Sequence, residues 1–290
     1  MPYTAVSLFG GQLRRWRAAR GMSQLELAVA AGTTPRHLSF VETGRSRPGS
    51  ALVLRLADVL AVPMRERNTL LAAAGLPIAY PTHHLDSEAL RAVRDVLDRV
   101  LRGHEPYPAW VIGRGLRFLA ANAGAQALMP GLTSMSATQI VELWFGPGPL
   151  RERVENWSDV VRATLTVLRR EAVLTGDGDV VALLHRAEEL APELSAPAPG
   201  GDSPVACPVF RIDGQLLRTI STVMRFDTAT EVTTSELRVE LLFPADEQSD
   251  RLLRDLASRS VAGAPTGQLV PVSPRARSGT SSRPSATSQQ

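Results

Sequence analysis

Between residues 13 and 76 apolar positions recur every three or four residues, in short bursts punctuated by glycine. Leu13 and Trp16 share one face of a first helix ending near Arg20-Gly21, where Gly21 suits the left-handed residue past a helix end. Ser23, with Glu26 three residues on, has capping-box spacing and predicts a second helix carrying Leu25, Ala28 and Ala31 as far as Gly32. Thr33 is placed to cap a third helix, which turns Leu38 and Val41 inward and stops at Gly44. Val53, Leu56, Ala57 and Leu60 form the i, i+3, i+4, i+7 stripe of a fourth. A fifth opens at Pro63 and carries Leu70, Leu71 and Ala74 to Gly75 and Pro77. These five helices predict a compact all-α module over residues 1–79.

The pattern then changes. A linker with two prolines, Pro77 and Pro81, leads to a longer helix from Ser87, striped by Leu90, Val93, Leu97, Val100 and Leu101. Residues 80–103 are therefore linker and connecting helix, the helix serving either as a connector or as part of the second domain. From 104 to 260 short strands and helices mix. Ala109–Ile112 and Arg117–Ala121 read as a hairpin across Gly113-Arg114-Gly115. Helices are expected at 121–129, 137–145, 157–175 and 178–191, with Asn122 and Asn156 as caps; Val180, Leu183, Leu184, Ala187 and Ala191 stripe the last. After a Pro/Ala/Gly/Ser loop from Pro192 to Pro204 come strand candidates Pro208–Ile212, Leu216–Phe226 and Glu236–Phe243. In the last of these Leu237, Val239, Leu241 and Phe243 alternate with polar residues, as on a half-buried strand. The expectation is an α+β domain with a five-stranded antiparallel sheet and helices on one face. The segment 261–290, rich in Ser, Pro, Thr and Gly, has too few large apolar residues to fold and reads as a disordered tail.

Charge sharpens this division. There is no lysine, so all 32 basic residues are arginines. Residues 1–80 hold 10 arginines and 4 acids; residues 81–260 hold 19 arginines and 25 acids. A positive head on an acidic body is the electrostatic footprint of a nucleic-acid reader joined to something else.

Residues Met22 to Arg45 carry a resemblance. Ser23-Gln24-x-x-Leu27-Ala28, the turn at Gly32, and Leu38-Ser39-x-x-Glu42-x-Gly44-Arg45 resemble the Cro/C1-type (xenobiotic-response-element family) helix-turn-helix. Small Ala28 lets helices two and three cross closely, and Glu42 is expected to pair with an arginine inside the module. The resemblance implies that the third helix enters the major groove N-terminus first. It places Thr34, Pro35 and Arg36 where base edges are met, with Arg36 suited to guanine N7 and O6, and Thr33 joins them as a DNA-binding candidate. Phe40 then packs on sugar or a thymine methyl, or on the core. Gln24 matches a phosphate contact, and Arg45 and Arg47 are backbone clamps or plain solvated charges; Arg14, Arg15 and Arg17 are weaker candidates.

The order of elements in the second domain resembles a PAS-like domain, and its residues resemble the MmyB-like ligand-binding domain found behind such helix-turn-helix modules. The carrying residues are Tyr107-Pro108-Ala109-Trp110-Val111, Leu119-Ala120-Ala121-Asn122, Glu155-Asn156-Trp157 and the run from Ser235 to Asp246. The resemblance implies a cavity between sheet and helices, able in at least one relative to hold a long-chain fatty acid. Trp110, Phe118, Trp144, Phe145, Phe210, Phe226 and Phe243 either line such a cavity or pack as ordinary core. Arg117, Arg151 and Arg225 are candidate cations for an anionic head group.

Catalytic motifs are missing. Gly113-Arg114-Gly115 lacks the third glycine of a dinucleotide loop, and Thr175–Asp179 lacks most calcium ligands and reads as a helix–helix turn. One cysteine, Cys207, excludes a disulfide framework, and the adjacent pair His83-His84 has no third metal ligand nearby. No run approaches a membrane span, and the N-terminus has no signal-peptide layout. The sequence thus reads as a cytoplasmic, non-enzymatic regulator with no obligatory cofactor. It is expected to bind double-stranded DNA as a homodimer on an inverted repeat, and to sense a small apolar or fatty-acid-like effector. The alternative is a second domain that serves only dimerisation or partner recruitment.

Overall fold

The computed structural model describes residues 5–194 and 207–261, so most of the expected loop and all but the first residue of the expected tail lie outside the described residues. The N-terminal module has five helices: α1 (Ala5–Ala19), α2 (Gln24–Ala30), α3 (Pro35–Glu42), α4 (Ser50–Val59) and α5 (Met64–Ala73). Phe9, Leu13, Trp16, Leu27, Leu38, Leu56, Leu60 and Leu70 meet in one buried cluster. The Ser23–Glu26 capping box forms in both directions. Gly32 takes φ +64°, which lets the Thr33 N–H close α2 onto the Ala28 carbonyl at 2.9 Å. That closing bond moves the cap of α3 one residue past the expected Thr33: Thr34 is the cap, its hydroxyl accepting from the His37 N–H at 3.1 Å. Gly10 sets how closely α1 and α3 approach, since a Cβ there would lie 2.2 Å from the Glu42 carbonyl oxygen.

The second domain starts with a short 3-10 turn (Glu88–Leu90) and α6 (Arg91–Gly103). Strands β1 (Ala109–Gly113) and β2 (Arg117–Ala121) form the predicted hairpin. Helices α7 (Ala123–Leu128), α8 (Ala137–Phe145), α9 (Pro149–Arg153), α10 (Trp157–Thr175) and α11 (Gly178–Leu190) follow. Then come β3 (Val209–Ile212), β4 (Gln215–Arg225), α12 (Val232–Glu236), β5 (Arg238–Pro244) and α13 (Glu247–Val261). The five strands make one antiparallel sheet in the order β2-β1-β5-β4-β3. Helices α7, α8, α10, α11 and α13 bury Leu128, Ile140, Leu165, Leu183 and Leu253 in one cluster with Trp110, Ile112, Leu217 and Leu242 of the sheet.

The expectation of helices on one face is corrected. Leu97 and Leu101 of α6 pack against Ala109, Val111, Ala120, Leu237 and Val239 on the opposite face. Every residue of β1 is buried, because alternate side chains enter two different cores. The connecting helix is thus part of the second domain. Asn122 caps α7 as expected, accepting from Ala125 and Ala109 N–H and donating to Leu101 and Tyr107 carbonyls. Asn156 does not cap α10; its amide bridges the Cys207 carbonyl and the Val209 N–H, fixing the start of β3.

The linker is pinned at both ends. The Asn68 side chain of α5 accepts from Ala79 and Tyr80 N–H and donates to the Tyr80 carbonyl. On the other side the Glu231 carboxylate, which caps α12, accepts from the His83 N–H at 2.8 Å, and the Val232 N–H bonds the Pro81 carbonyl.

Gly10→Ala is expected to force α1 from α3 and destabilise the N-terminal module by about 1–3 kcal/mol, seen as a lowered Tm. Burial raises the Glu231 pKa, but N–H bonds from Thr234, His83 and Thr233 outweigh it and hold the carboxyl below its usual value. Its contribution is therefore present above the ordinary glutamate range and lost as pH falls through the lowered folded value. Glu231→Gln should flatten the acid side of a stability-against-pH curve measured by urea unfolding; an unchanged slope would contradict this.

Candidate nucleic-acid interface and effector pocket

The module is organised around Glu42, which is 1% exposed at the end of α3. Arg17 of α1 grips its carboxylate with two bonds of 2.8 and 3.0 Å and donates a third to the Met22 carbonyl. Hydrogen bonding to Glu42 raises the Arg17 pKa. Gln24, at the start of α2, donates to the same carboxylate at 2.7 Å. One buried anion therefore fixes three helices. Arg17 is the arginine partner expected for Glu42, and its structural role removes it from the surface candidates.

With α3 so held, Thr34, Pro35 and Arg36 stand exposed at its N-terminal end, with Thr33 half-buried behind them. Phe40, one turn on and half-buried, places its ring 5.5 Å from the Arg36 guanidinium, within cation–π range. Arg20 and Arg55 bond backbone carbonyls of the module; Arg67 pairs with Asp58 and Arg65 with Glu236. Arg14 reaches back to the Gly10 carbonyl, and Arg15 lies against Gly176 of the second domain. Arg36, Arg45 and Arg47 are exposed, and among the described residues no hydrogen bond or ion pair engages their guanidinium groups. All three lie on α3 or just after it. Spacing alone had not separated these guanidinium groups from the structural ones.

In the second domain an open pocket of about 200 Å³ lies among α7, α8, α9 and β3. Leu128, Met129, Leu132, Met135, Leu150 and Phe210 give it an apolar wall, and Arg153 is its cation. Of the aromatic residues expected around a cavity, Phe210 lines it. Trp110 and Phe145 are buried in the surrounding core, and Phe118 packs edge-on to Trp110. Trp144 is half-buried, its carbonyl accepting from the Trp157 indole. Phe226 packs on the α6 side of the sheet, and Phe243, 40% exposed, lies edge-on to His104. Arg151 stacks 3.8 Å over Trp157 and pairs with Glu193, while Arg117 and Arg225 are exposed outside the pocket lining. Arg153 was missed because a cation's direction at the end of a five-residue helix has no sequence signature. The buried Trp110 indole N–H has no acceptor among the described residues.

Among the described residues no group of three or more His, Cys, Asp or Glu is placed to hold a metal ion, and no helix is long and apolar enough to cross a membrane. Cys207 is buried, its sulfur accepting from the Ser221 N–H at 3.0 Å.

A helix-turn-helix head joined to an α+β domain with an apolar pocket defines a DNA-binding transcriptional regulator. The chain matches the MmyB-like transcription regulator ligand binding domain over residues 93–256 and a helix-turn-helix domain over residues 8–70. It belongs to the MmyB-like transcription regulators. Over 106 residues it is 38% identical to the uncharacterized HTH-type transcriptional regulator RghRB of Bacillus subtilis (strain 168), covering 36% of this chain and 74% of that protein. The crystal structure of the clp gene regulator ClgR from Corynebacterium glutamicum is 28% identical, covering 37% of this chain and 99% of that one, with a TM-score of 0.23.

Proposed function

We propose that the protein binds an inverted-repeat operator as a homodimer, through Arg36 and its neighbours, and that an amphipathic ligand in the second domain adjusts that binding. The observation that carries the DNA half is the set of three exposed arginines on and after α3 whose guanidinium groups make no hydrogen bond or ion pair among the described residues. In a dimer two such helices about 34–36 Å apart would meet successive turns of the major groove. Arg36, with Thr34 and Pro35 beside it, reads a base edge; Arg45 and Arg47 meet phosphates. Gln24, held by Glu42, offers its remaining amide N–H to the backbone beside them. Thr33 lies at the same end of α3.

The ligand half is supported by the pocket's apolar wall and by Arg153, which suits a carboxylate head. Its volume is below the ~300 Å³ at which ligand sites usually begin, so a long chain requires the walls to part. That small volume favours the second reading, a domain that only dimerises or recruits a partner. Ligand can shift operator affinity only by its difference in affinity for the two states.

Arg36→Ala should relax base preference at one position per half-site, costing about 1–3 kcal/mol of discrimination in a selection from random duplexes. Arg47→Ala should instead weaken all duplexes alike and reduce the salt slope by about one. Equal base profiles for the two variants would refute the assignment of Arg36. For the pocket, native mass spectrometry of purified protein should show a co-purifying amphiphile, with Arg153→Ala depleting the acidic species. An empty dimer that retains no added fatty acid would favour the second reading.

A further inference from the structure

Five charged side chains meet where the two domains touch. From the helix-turn-helix head come Arg65 and Glu66 of α5; from the second domain come Arg114, Asp177 and Glu236. Arg114 is the hub. It pairs with Glu66 at 2.9 Å, with Glu236 at 3.3 Å, and with Asp177. Arg65 grips Glu236 with bonds of 2.7 and 2.8 Å. The Glu66 side chain is 9% exposed and that of Arg114 is 20% exposed, so salt screens this pair less than a surface pair. Around the cluster Leu174 of α10 packs on the head's core, and Arg15 lies against Gly176.

The charges do not balance. Two guanidinium groups face three carboxylates, and burial pushes the Glu66 carboxyl up while Arg114 pulls it back. Without Arg114 its pairs with Glu66, Asp177 and Glu236 are lost and Arg65 alone of these two cations faces three anions, so that guanidinium supplies much of the cluster's attraction. Arg114 occupies the turn between β1 and β2, and β1 carries Trp110 and Ile112 into the core of the second domain. Asp177 caps α11, and Glu236 leads into β5. All three partners from the second domain therefore sit on turns or ends of its core elements, and a shift in that core moves them relative to α5. None of these contacts uses α3, whose Thr34, Pro35 and Arg36 stay exposed.

We infer that Arg65, Glu66, Arg114, Asp177 and Glu236 form an ionic latch that holds the head at a fixed angle on the second domain, and that opening it lowers affinity for DNA carrying two half-sites. This rests on the dimeric, operator-binding reading above. The docked form is the DNA-competent one, because docking leaves the recognition helix clear while removing the orientational freedom that two linked readers otherwise lose on binding. The latch acts on geometry and does not touch DNA.

The test uses the full chain, with duplexes selected by the wild-type protein from a random library and cut to two half-sites or one. Arg114→Ala removes the hub. Arg65→Gln with Glu66→Gln breaks the latch from the head side alone, leaving the Arg114–Asp177 and Arg114–Glu236 pairs of the second domain in place. Both should raise amide exchange in α5 and residues 79–83, and weaken two-site binding about ten-fold, the scale expected from losing effective concentration. Single half-site binding should stay within about two-fold of wild type, and Arg114→Lys, which keeps charge without the fork, should fall between. Unchanged exchange, or raised exchange with unchanged two-site affinity, would overturn the inference. An equal loss on one and two half-sites would also overturn it, marking damage to the head. If wild type itself shows no advantage on two half-sites, the operator reading fails separately. The exchange data then still decide whether the latch holds the head.

Discussion

A buried carboxylate that cannot reach water must be met by donors, and Glu42 draws its donors from two other helices. Arg17 and Gln24 converge on it from α1 and α2, while its own backbone carbonyl abuts Gly10. Removing one partner from such a group leaves a desolvated charge, which makes the arrangement close to all-or-none. The angle of α3, and so the display of Arg36 beside Phe40, follows from this one requirement. Hydrophobic burial of Leu27, Leu38 and Leu56 holds the module together, but it is non-directional and does not choose that angle.

Much of this was legible in the chain itself. The caps, the glycine stops and the apolar stripes located the five head helices, because these are local signals with fixed spacing. They missed by one residue at Thr33, where the closing bond of α2 competes with the cap of α3. The strands and their antiparallel sheet in the second domain were anticipated, but not the order of the strands or the second core beneath α6. The signal was present: β1 is an unbroken apolar run, the mark of a strand covered on both faces. Helix α13 escaped notice because its buried positions, such as Leu253 and Ala257, are few among charged residues.

Side-chain partners were least legible. Ten arginines in the head look alike in sequence, yet Arg17 serves a buried anion, Arg65 crosses to the other domain and Arg36 meets only a ring. Which task a guanidinium has depends on acceptors far away in the chain, 171 residues away for Arg65. The pocket shows the same limit: of the aromatic residues expected around a cavity Phe210 lines it, while Arg153, the cation beside it, was not foreseen. Aromatic residues signal burial, but burial does not distinguish a filled core from the rim of a hollow.

The linker gives the chain an unexpected seam. Its two prolines suggest a place where one head can be exchanged for another, but Asn68 and Glu231 stitch residues 79–83 to α5 and α12. Helix α5 belongs to the head by packing and to the body by its hydrogen bonds and charges. Recombination at Pro77 would separate Asn68 from the backbone it binds, and at either proline it would separate Arg65 from Glu236. A cut before α5 would instead take Leu70 and Leu71 out of the head's core, so neither cut leaves both sides whole.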